Sequence, residues 1–343
     1  MHRADKAVLR LAIGLGLSVL IAYGLGLQLA FVVPVLAVLL LCKPGPPIPF
    51  VKGAVVAVFI AGLMVAGVLM VPLLQNYPVT GVLLTAAVLY AVFFAGARKA
   101  NPLTIFLVIA FTFIPVAGIA DQALVSVLAQ GVGLGLGIGV AVSGLSHALF
   151  PDAPAPAQTA AGPVGASREA ASWSALQATV VVMPVFVLAL TNPAMYIPAI
   201  MKTVGLGQQA GSSTDARSAG HELVGSTLMG ALMAAVVWAG LTLRPNLWML
   251  ILWVVAAGLW TGVRLFRVRP TSEPPSYWVN ALMTMLILLG PGIEDAAVGK
   301  DVYAASATRV ALFVGVAIYA WATVWVLERW RASRSRRLFP ERG

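Results

Sequence analysis

Lys202 and Thr203 open the stretch KTVGLGQQAGSSTDARSAGHE, which continues through Gln208, Gln209, Ser212, Ser213 and Thr214. Cations and hydrogen-bond donors dominate it. A carboxylate accepts several donors at once and lysine adds a point charge, so this set suits recognition of a small organic anion. The plainer reading of Lys202 is a loop lysine that fixes orientation in a membrane. The corresponding stretch of the first half, KPGPPIPFVK, holds Lys43 and Lys52 among prolines and reads as a rigid brace. Two more polar side chains are set into apolar runs: Arg309 in ASATRVALFVG and, as its rough counterpart, Gln130 in SVLAQGVGLG. A charge at the bilayer centre costs roughly 2.5–3.5 kcal/mol on insertion scales. Arg309 therefore reaches out to water, pairs with Asp301 or Asp295, or meets a passing anion.

Other chemistries fit less well. HALFPD sets His147 and Asp152 at a spacing used by one acyltransferase class, but no companion basic-glycine motif follows. GVGLGLGIG has Gly131, Gly135 and Gly139 at i, i+4 and i+8, the spacing of close helix packing rather than of a nucleotide loop. Cys42 is the single cysteine, so no intrachain disulfide forms. With no metal, carboxylate-pair or triad constellation, neither an enzyme nor a cofactor or metal is expected. No Asp or Glu falls in the middle of a predicted span, which leaves Asp121, His147, His221 and Glu222 as fallback proton carriers.

These residues have to be positioned by membrane helices. The chain is 60% hydrophobic and only 10% charged, against about 25% charged in ordinary soluble domains. Apolar runs predict spans at 8–26, 28–42, 53–73, 80–97, 102–119 and 122–150, then at 173–191, 193–206, 221–242, 247–264, 277–293 and 304–328. The fold class expected is an all-α polytopic membrane protein of about twelve transmembrane helices. The Ala/Pro-rich segment 151–172 reads as a linker between a first unit, 1–150, and a second, 173–328, with a basic tail at 329–343. The two units look like parallel six-helix repeats. AFVVP (30–34) matches AMYIP (194–198), GIAD (118–121) matches GIED (292–295), and the order of the matches is the same in both. The second span of each unit is short and proline-bearing, with Pro34 in one and Pro193 and Pro198 in the other, so helix breaks are expected there. All but Arg244, Lys300 and Arg309 of the 22 Lys and Arg residues fall on one side of this map. That bias puts both termini in the cytoplasm and accounts for the net charge of +10 without nucleic-acid binding. The arginine-rich tail is expected to lie against anionic lipid head groups of the bilayer. All nine tryptophans lie in the second half, some near predicted span ends and some deeper, where they line helices or a path for aromatic molecules.

The opening LRLAIGLGLSVLIAYGLGLQLAFVVPVLAVLLL, the paired six-span units and GSTLMG (225–230) resemble the fusaric-acid-resistance and aromatic-acid-exporter superfamily. Thr227 and Gly230 match the end of that family's Gly-Thr-x-x-Gly pattern, while Ser226 stands for the first glycine and no arginine precedes it. The resemblance implies a multi-pass protein of the bacterial inner membrane that exports small, aromatic organic acid anions. It also implies a periplasmic adaptor of the membrane-fusion type as partner. The lack of an intramembrane carboxylate favours export aided by membrane potential. A channel-like anion permease and a non-transporting membrane scaffold are the alternatives, and a homo-oligomer is compatible with each.

Overall fold

A chain in lipid has no water to satisfy its backbone, so an apolar run of this kind folds as helix. The computed structural model describes residues 2–42, 49–99, 104–151, 165–212 and 219–338, and among these there is no strand. The first half contains α1 (Arg3–Gly24), α2 (Val32–Leu41), α3 (Phe50–Val68), α4 (Met70–Asn76), α5 (Pro78–Lys99), α6 (Thr104–Ala120) and α7 (Gln122–Leu149). The second contains α8 (Arg168–Thr191), α9 (Pro193–Ser212), a π-helical turn (His221–Gly225), α10 (Ser226–Leu243), α11 (Leu247–Leu265), α12 (Pro275–Ala297) and α13 (Val302–Leu338). Among the described residues nine helical segments are long and apolar enough to cross a membrane. The chain is an all-α, multi-pass membrane protein.

Every span expected from the sequence falls on a helix, but several boundaries move. Pro34 sits in the first turn of α2 and Pro193 is the first residue of α9, so neither breaks a helix; only Pro198 is internal. Proline is tolerated in a first turn because the missing N–H would be unpaired there anyway. Helix α9 also does not stop near residue 206. It runs to Ser212, because Ile200, Val204 and Leu206 keep its apolar face buried. The irregular connection expected from Lys202 onward is therefore helical in its first part. Helix α8 begins at Arg168, inside the expected linker, and α13 continues to Leu338, so most of the basic tail is helix. Lys43, Asp152 and Ser213–Thr214 lie outside the described residues.

Helix neighbours repeat between the halves. The pairs α1–α2, α1–α7, α2–α7, α3–α6, α3–α7, α5–α6 and α6–α7 have counterparts in α8–α9, α8–α13, α9–α13, α10–α12, α10–α13, α11–α12 and α12–α13. The pairs that join the halves behave the same way: α1–α11 answers α5–α8, and α2–α12 answers α6–α9. Helix α12 is central, with 72% of its most apolar window buried, whereas α5 and α13 bury 22% and turn the rest outward. Two glycines permit the equivalent close crossings. A Cβ on Gly230 of α10 would lie 2.5 Å from the Ala281 carbonyl oxygen of α12, and one on Gly67 of α3 would strike the Ala110 carbonyl of α6. Gly135 and Gly139 pack on α2 at Val33 and Ala37, as their spacing suggests, but Gly131 meets nothing.

Basic residues gather at one end of the bundle. Lys6 of α1 donates to the Pro151 carbonyl (2.7 Å), past the end of α7. Trp173 near the start of α8 donates to Glu328 near the end of α13 (2.8 Å), and Gln177 donates to the same carboxylate oxygen (2.7 Å). Arg331 covers the Trp173 ring, which stacks on Trp330. This end, where α1 and α8 begin and α13 terminates, is called the basic end below.

Candidate functional site: a buried lysine among neutral acceptors

Lys202 lies inside α9 rather than on a loop, and it is 2% exposed. Its Nζ donates to Asn280 Oδ1 (2.9 Å) and Thr284 Oγ1 (2.6 Å), one turn apart on α12. Asn280 Nδ2 donates in turn to Ser226 Oγ (2.5 Å), the first residue of α10. Ser226 Oγ donates to the Leu223 carbonyl (3.4 Å), and Thr284 Oγ1 to the Asn280 carbonyl (2.6 Å). All four side chains are buried. The hydrogen bonds therefore all run one way, outward from Lys202, and end on backbone carbonyls.

An ammonium has three donors and no acceptor. Two are used, and among the described residues no carboxylate pairs with Lys202. A buried cation ordinarily carries a partner of opposite charge, because removing one partner of such a pair costs several kcal/mol. Here both partners are neutral side chains.

Toward the basic end the cluster is covered by an aromatic layer. Tyr277 stands one turn before Asn280, and Gly225 is the neighbour of Ser226; a Cβ on Gly225 would lie 3.1 Å from the Tyr277 ring. The π-helical turn His221–Gly225 ends here, and such turns recur at functional positions. The His221 ring stacks on Tyr277 at 6.2 Å, with its Nδ1 3.1 Å from Glu273 Oε2. Trp278 meets Tyr277 edge-on at 5.1 Å and Trp260 at 5.6 Å, and the Arg264 guanidinium lies 3.8 Å over Trp260. Tyr277 and its aromatic neighbours, with His221 and Arg264 at their edge, thus lie about one turn nearer the basic end than Asn280.

Other residues singled out in the sequence are elsewhere. Thr203 is buried beside Lys202, but its hydroxyl bonds its own helix at the Ala199 carbonyl (2.6 Å). Gln208 and Gln209 continue α9, and their side chains lie outside the described residues. Gln130 is exposed on α7. Asp121 caps α7 by accepting from the Ala123 amide (2.8 Å). His147 Nδ1 lies 2.8 Å from the Ser143 carbonyl. Glu222 is half-buried on the π-helical turn. Arg309 does pair with Asp295, at the end opposite the basic one, and Lys300 approaches the same carboxylate at 3.7 Å. Among the described residues none of these joins the Lys202 cluster. Asn280, Thr284 and Tyr277 are not among the residues the sequence points to, and Ser226 enters there only as a departure from the family's glycine. The signal for the first two was YWVNALMT, in which Asn280 and Thr284 stand at i, i+4 inside an apolar run.

Residues 7–146 are similar to a family described as a protein of unknown function (DUF2955). That match runs from the start of α1 to the last turn of α7 and leaves the half that carries Lys202 unmatched. No curated protein and no solved structure matches the chain.

Proposed function

We propose that the chain is an exporter of small, aromatic organic acid anions in the bacterial inner membrane, with Lys202 as the anion-binding group. The observation that carries this reading is a buried lysine bonded to two neutral acceptors, with no carboxylate paired to it among the described residues. A carboxylate of the substrate would complete the site, and the aromatic layer of Tyr277, Trp278 and Trp260 suits a ring passing toward it.

The repeating pattern of helix neighbours supports two parallel six-helix units, twelve spans in all, and the family match ends where the first unit would end. Parallel repeats of this kind set a substrate site near mid-membrane. In this reading the basic end faces the cytoplasm. The site sits in one unit only: Val38, four residues after Pro34 as Lys202 is after Pro198, is buried and apolar. Leaving a negative interior favours a monoanion by about 2.3 kcal/mol per 100 mV, so export uses the membrane potential directly. The partner expected on the far side is a membrane-fusion adaptor.

The test is uptake of radiolabelled benzoate into proteoliposomes under a potassium diffusion potential, positive inside, for wild type and Lys202→Met. Methionine keeps the length of the side chain and removes its donors. Uptake in the wild type should collapse with the potential and persist without a pH gradient, and the variant should lose at least tenfold. Equal uptake by both proteins would dismiss Lys202 as the anion site.

A further inference from the structure

Helices α1 and α8 both begin with an arginine at the basic end, Arg3 in one and Arg168 in the other. Each packs against a helix of the other half, α1 on α11 and α8 on α5. Both seams are antiparallel, so α11 and α5 finish where α1 and α8 start. In the α5–α8 seam the Ala166 amide donates to the Ala97 carbonyl (3.0 Å), and nearer mid-helix the Tyr90 hydroxyl donates to Ser172 Oγ (3.2 Å). Arg168 therefore stands level with Phe94, one turn short of Arg98 and Lys99 in the last turn of α5. In the α1–α11 seam a Cβ on Gly258 would meet Ala12, and one on Gly262 would meet Val8. That register, continued past the end of α11, brings Arg267 near the level of Arg3. The Arg269 amide bonds back to the Val263 carbonyl (3.1 Å), which keeps this arginine beside the last turn of α11 as well.

The two seams thus carry the same arrangement, with basic residues drawn from both helices of each. A general excess of Lys and Arg at one end needs only the positive-inside rule; their placement across two equivalent seams does not follow from it. The first turn of a helix favours negative charge, so Arg3 and Arg168 stand against the dipoles of their own helices unless an anion joins them. Among the described residues Arg98, Lys99, Arg168, Arg267 and Arg269 are exposed and make no ion pair. The acids of the two first turns are engaged: Glu169 approaches Arg331 of α13 (3.6 Å), and Asp5 accepts the His2 amide (3.1 Å). Toward mid-membrane both seams are bordered by exposed leucines. Leu176 lies one turn past Ser172 and Leu83 two turns before Tyr90, on the sides that face the α5–α8 contact; Leu252 and Leu259 flank the row of α11 that packs on α1. Cations at head-group level above an apolar slot match a phosphate that carries acyl chains. We propose that each seam binds one anionic phospholipid, its phosphate among the basic residues of the two helices and its acyl chains along the leucines. Because α1–α11 and α5–α8 join the halves, each bound lipid bridges the first half to the second. The proposal does not depend on the anion reading of Lys202.

Native mass spectrometry of the full chain in a mild detergent, with dioctanoyl-phosphatidylglycerol added, counts the bound lipids. Dioctanoyl-phosphatidylcholine is the zwitterionic control and glycerol phosphate the head group without chains. Wild type should retain two phosphatidylglycerols at concentrations where it retains no phosphatidylcholine. Arg98→Gln with Arg168→Gln should remove one, and Arg3→Gln with Arg267→Gln the other, each weakening its site by about fivefold per charge removed. Arg168→Lys, which keeps the charge, should retain both. Neutralising Arg334, Arg336 and Arg337 of the tail should also leave both in place, as should Lys202→Met. Equal retention of phosphatidylcholine would overturn the proposal. So would loss of both lipids in the tail variant with none lost in the seam variants. Displacement of both by excess glycerol phosphate would overturn it too, because the sites would then take a free phosphate rather than a lipid.

Discussion

Replacing Asn280 by leucine tests whether Lys202 is kept at the expense of stability. In Asn280→Leu, Lys202 loses the acceptor at 2.9 Å and keeps only Thr284. A hydrogen bond to an ammonium contributes about 1.5–3 kcal/mol. At ~2.1 cal/mol/K per residue, a chain of 343 residues shifts its midpoint by about 1.4 °C per kcal/mol. The single variant should therefore melt roughly 2–4 °C below wild type. Adding Lys202→Met removes the buried charge itself. Thr284 keeps its bond to the Asn280 carbonyl, and Ser226 keeps its bond to Leu223, so no polar group is newly stranded. Exchanging buried charged groups for apolar ones of similar volume is neutral or stabilising by about 1–4 kcal/mol. The double variant should melt at or above wild type and well above Asn280→Leu, while transporting nothing. Midpoints measured by tryptophan fluorescence in one detergent, completed as a double-mutant cycle with Lys202→Met, give the comparison. A double variant no more stable than Asn280→Leu would refute the reasoning, because Lys202 would then be a structural brace and not a stability cost retained for binding.

Two further outcomes follow from the packing and the orientation. Gly230→Ala should destabilise by about 1–3 kcal/mol, the usual effect of overpacking, because its methyl would lie 2.5 Å from both the Ala281 carbonyl oxygen and the Thr284 Cβ; Gly131→Ala, in open space, should be neutral in the same melt. With Cys42 replaced by serine, a cysteine at Val298 should react with a membrane-impermeant maleimide added to intact cells, and one at Phe266 should react only in inverted vesicles; both residues reacting from the same side would contradict the proposed orientation.

The helices were legible in the sequence because lipid leaves an apolar run few other ways to satisfy its backbone. What misled was proline. Pro34 and Pro193 read as breaks, yet both stand in a first turn, where the lost N–H has no helical partner to lose. Lys202 was legible as a cation followed by hydrogen-bonding residues but not as a buried one. Lysine, threonine and glycines lower the local hydropathy of KTVGLG, and only packing reveals that Val204 and Leu206 keep that turn inside the bundle. Its partners were harder still, since Asn280 and Thr284 come from a helix 78 and 82 residues further along. A single asparagine in an apolar run carries no sign of which lysine it will meet. A few short matches in the sequence suggest the proposed repeat, while the correspondence of α1–α11 with α5–α8 needed coordinates.

The one-way run of hydrogen bonds from Lys202 bears on leakage. Potassium and sodium need oxygen lone pairs, and at this cluster the side-chain oxygens are already turned toward N–H or O–H donors. Each neighbouring side chain turns its oxygen toward Lys202 and its hydrogen away, so a metal cation arriving here would have to share those oxygens with the ammonium. In the proposed exporter, valence would thus be sorted by one buried charge rather than by the width of an opening. A membrane carrying many copies of the proposed exporter would then keep its cation gradients while organic anions pass.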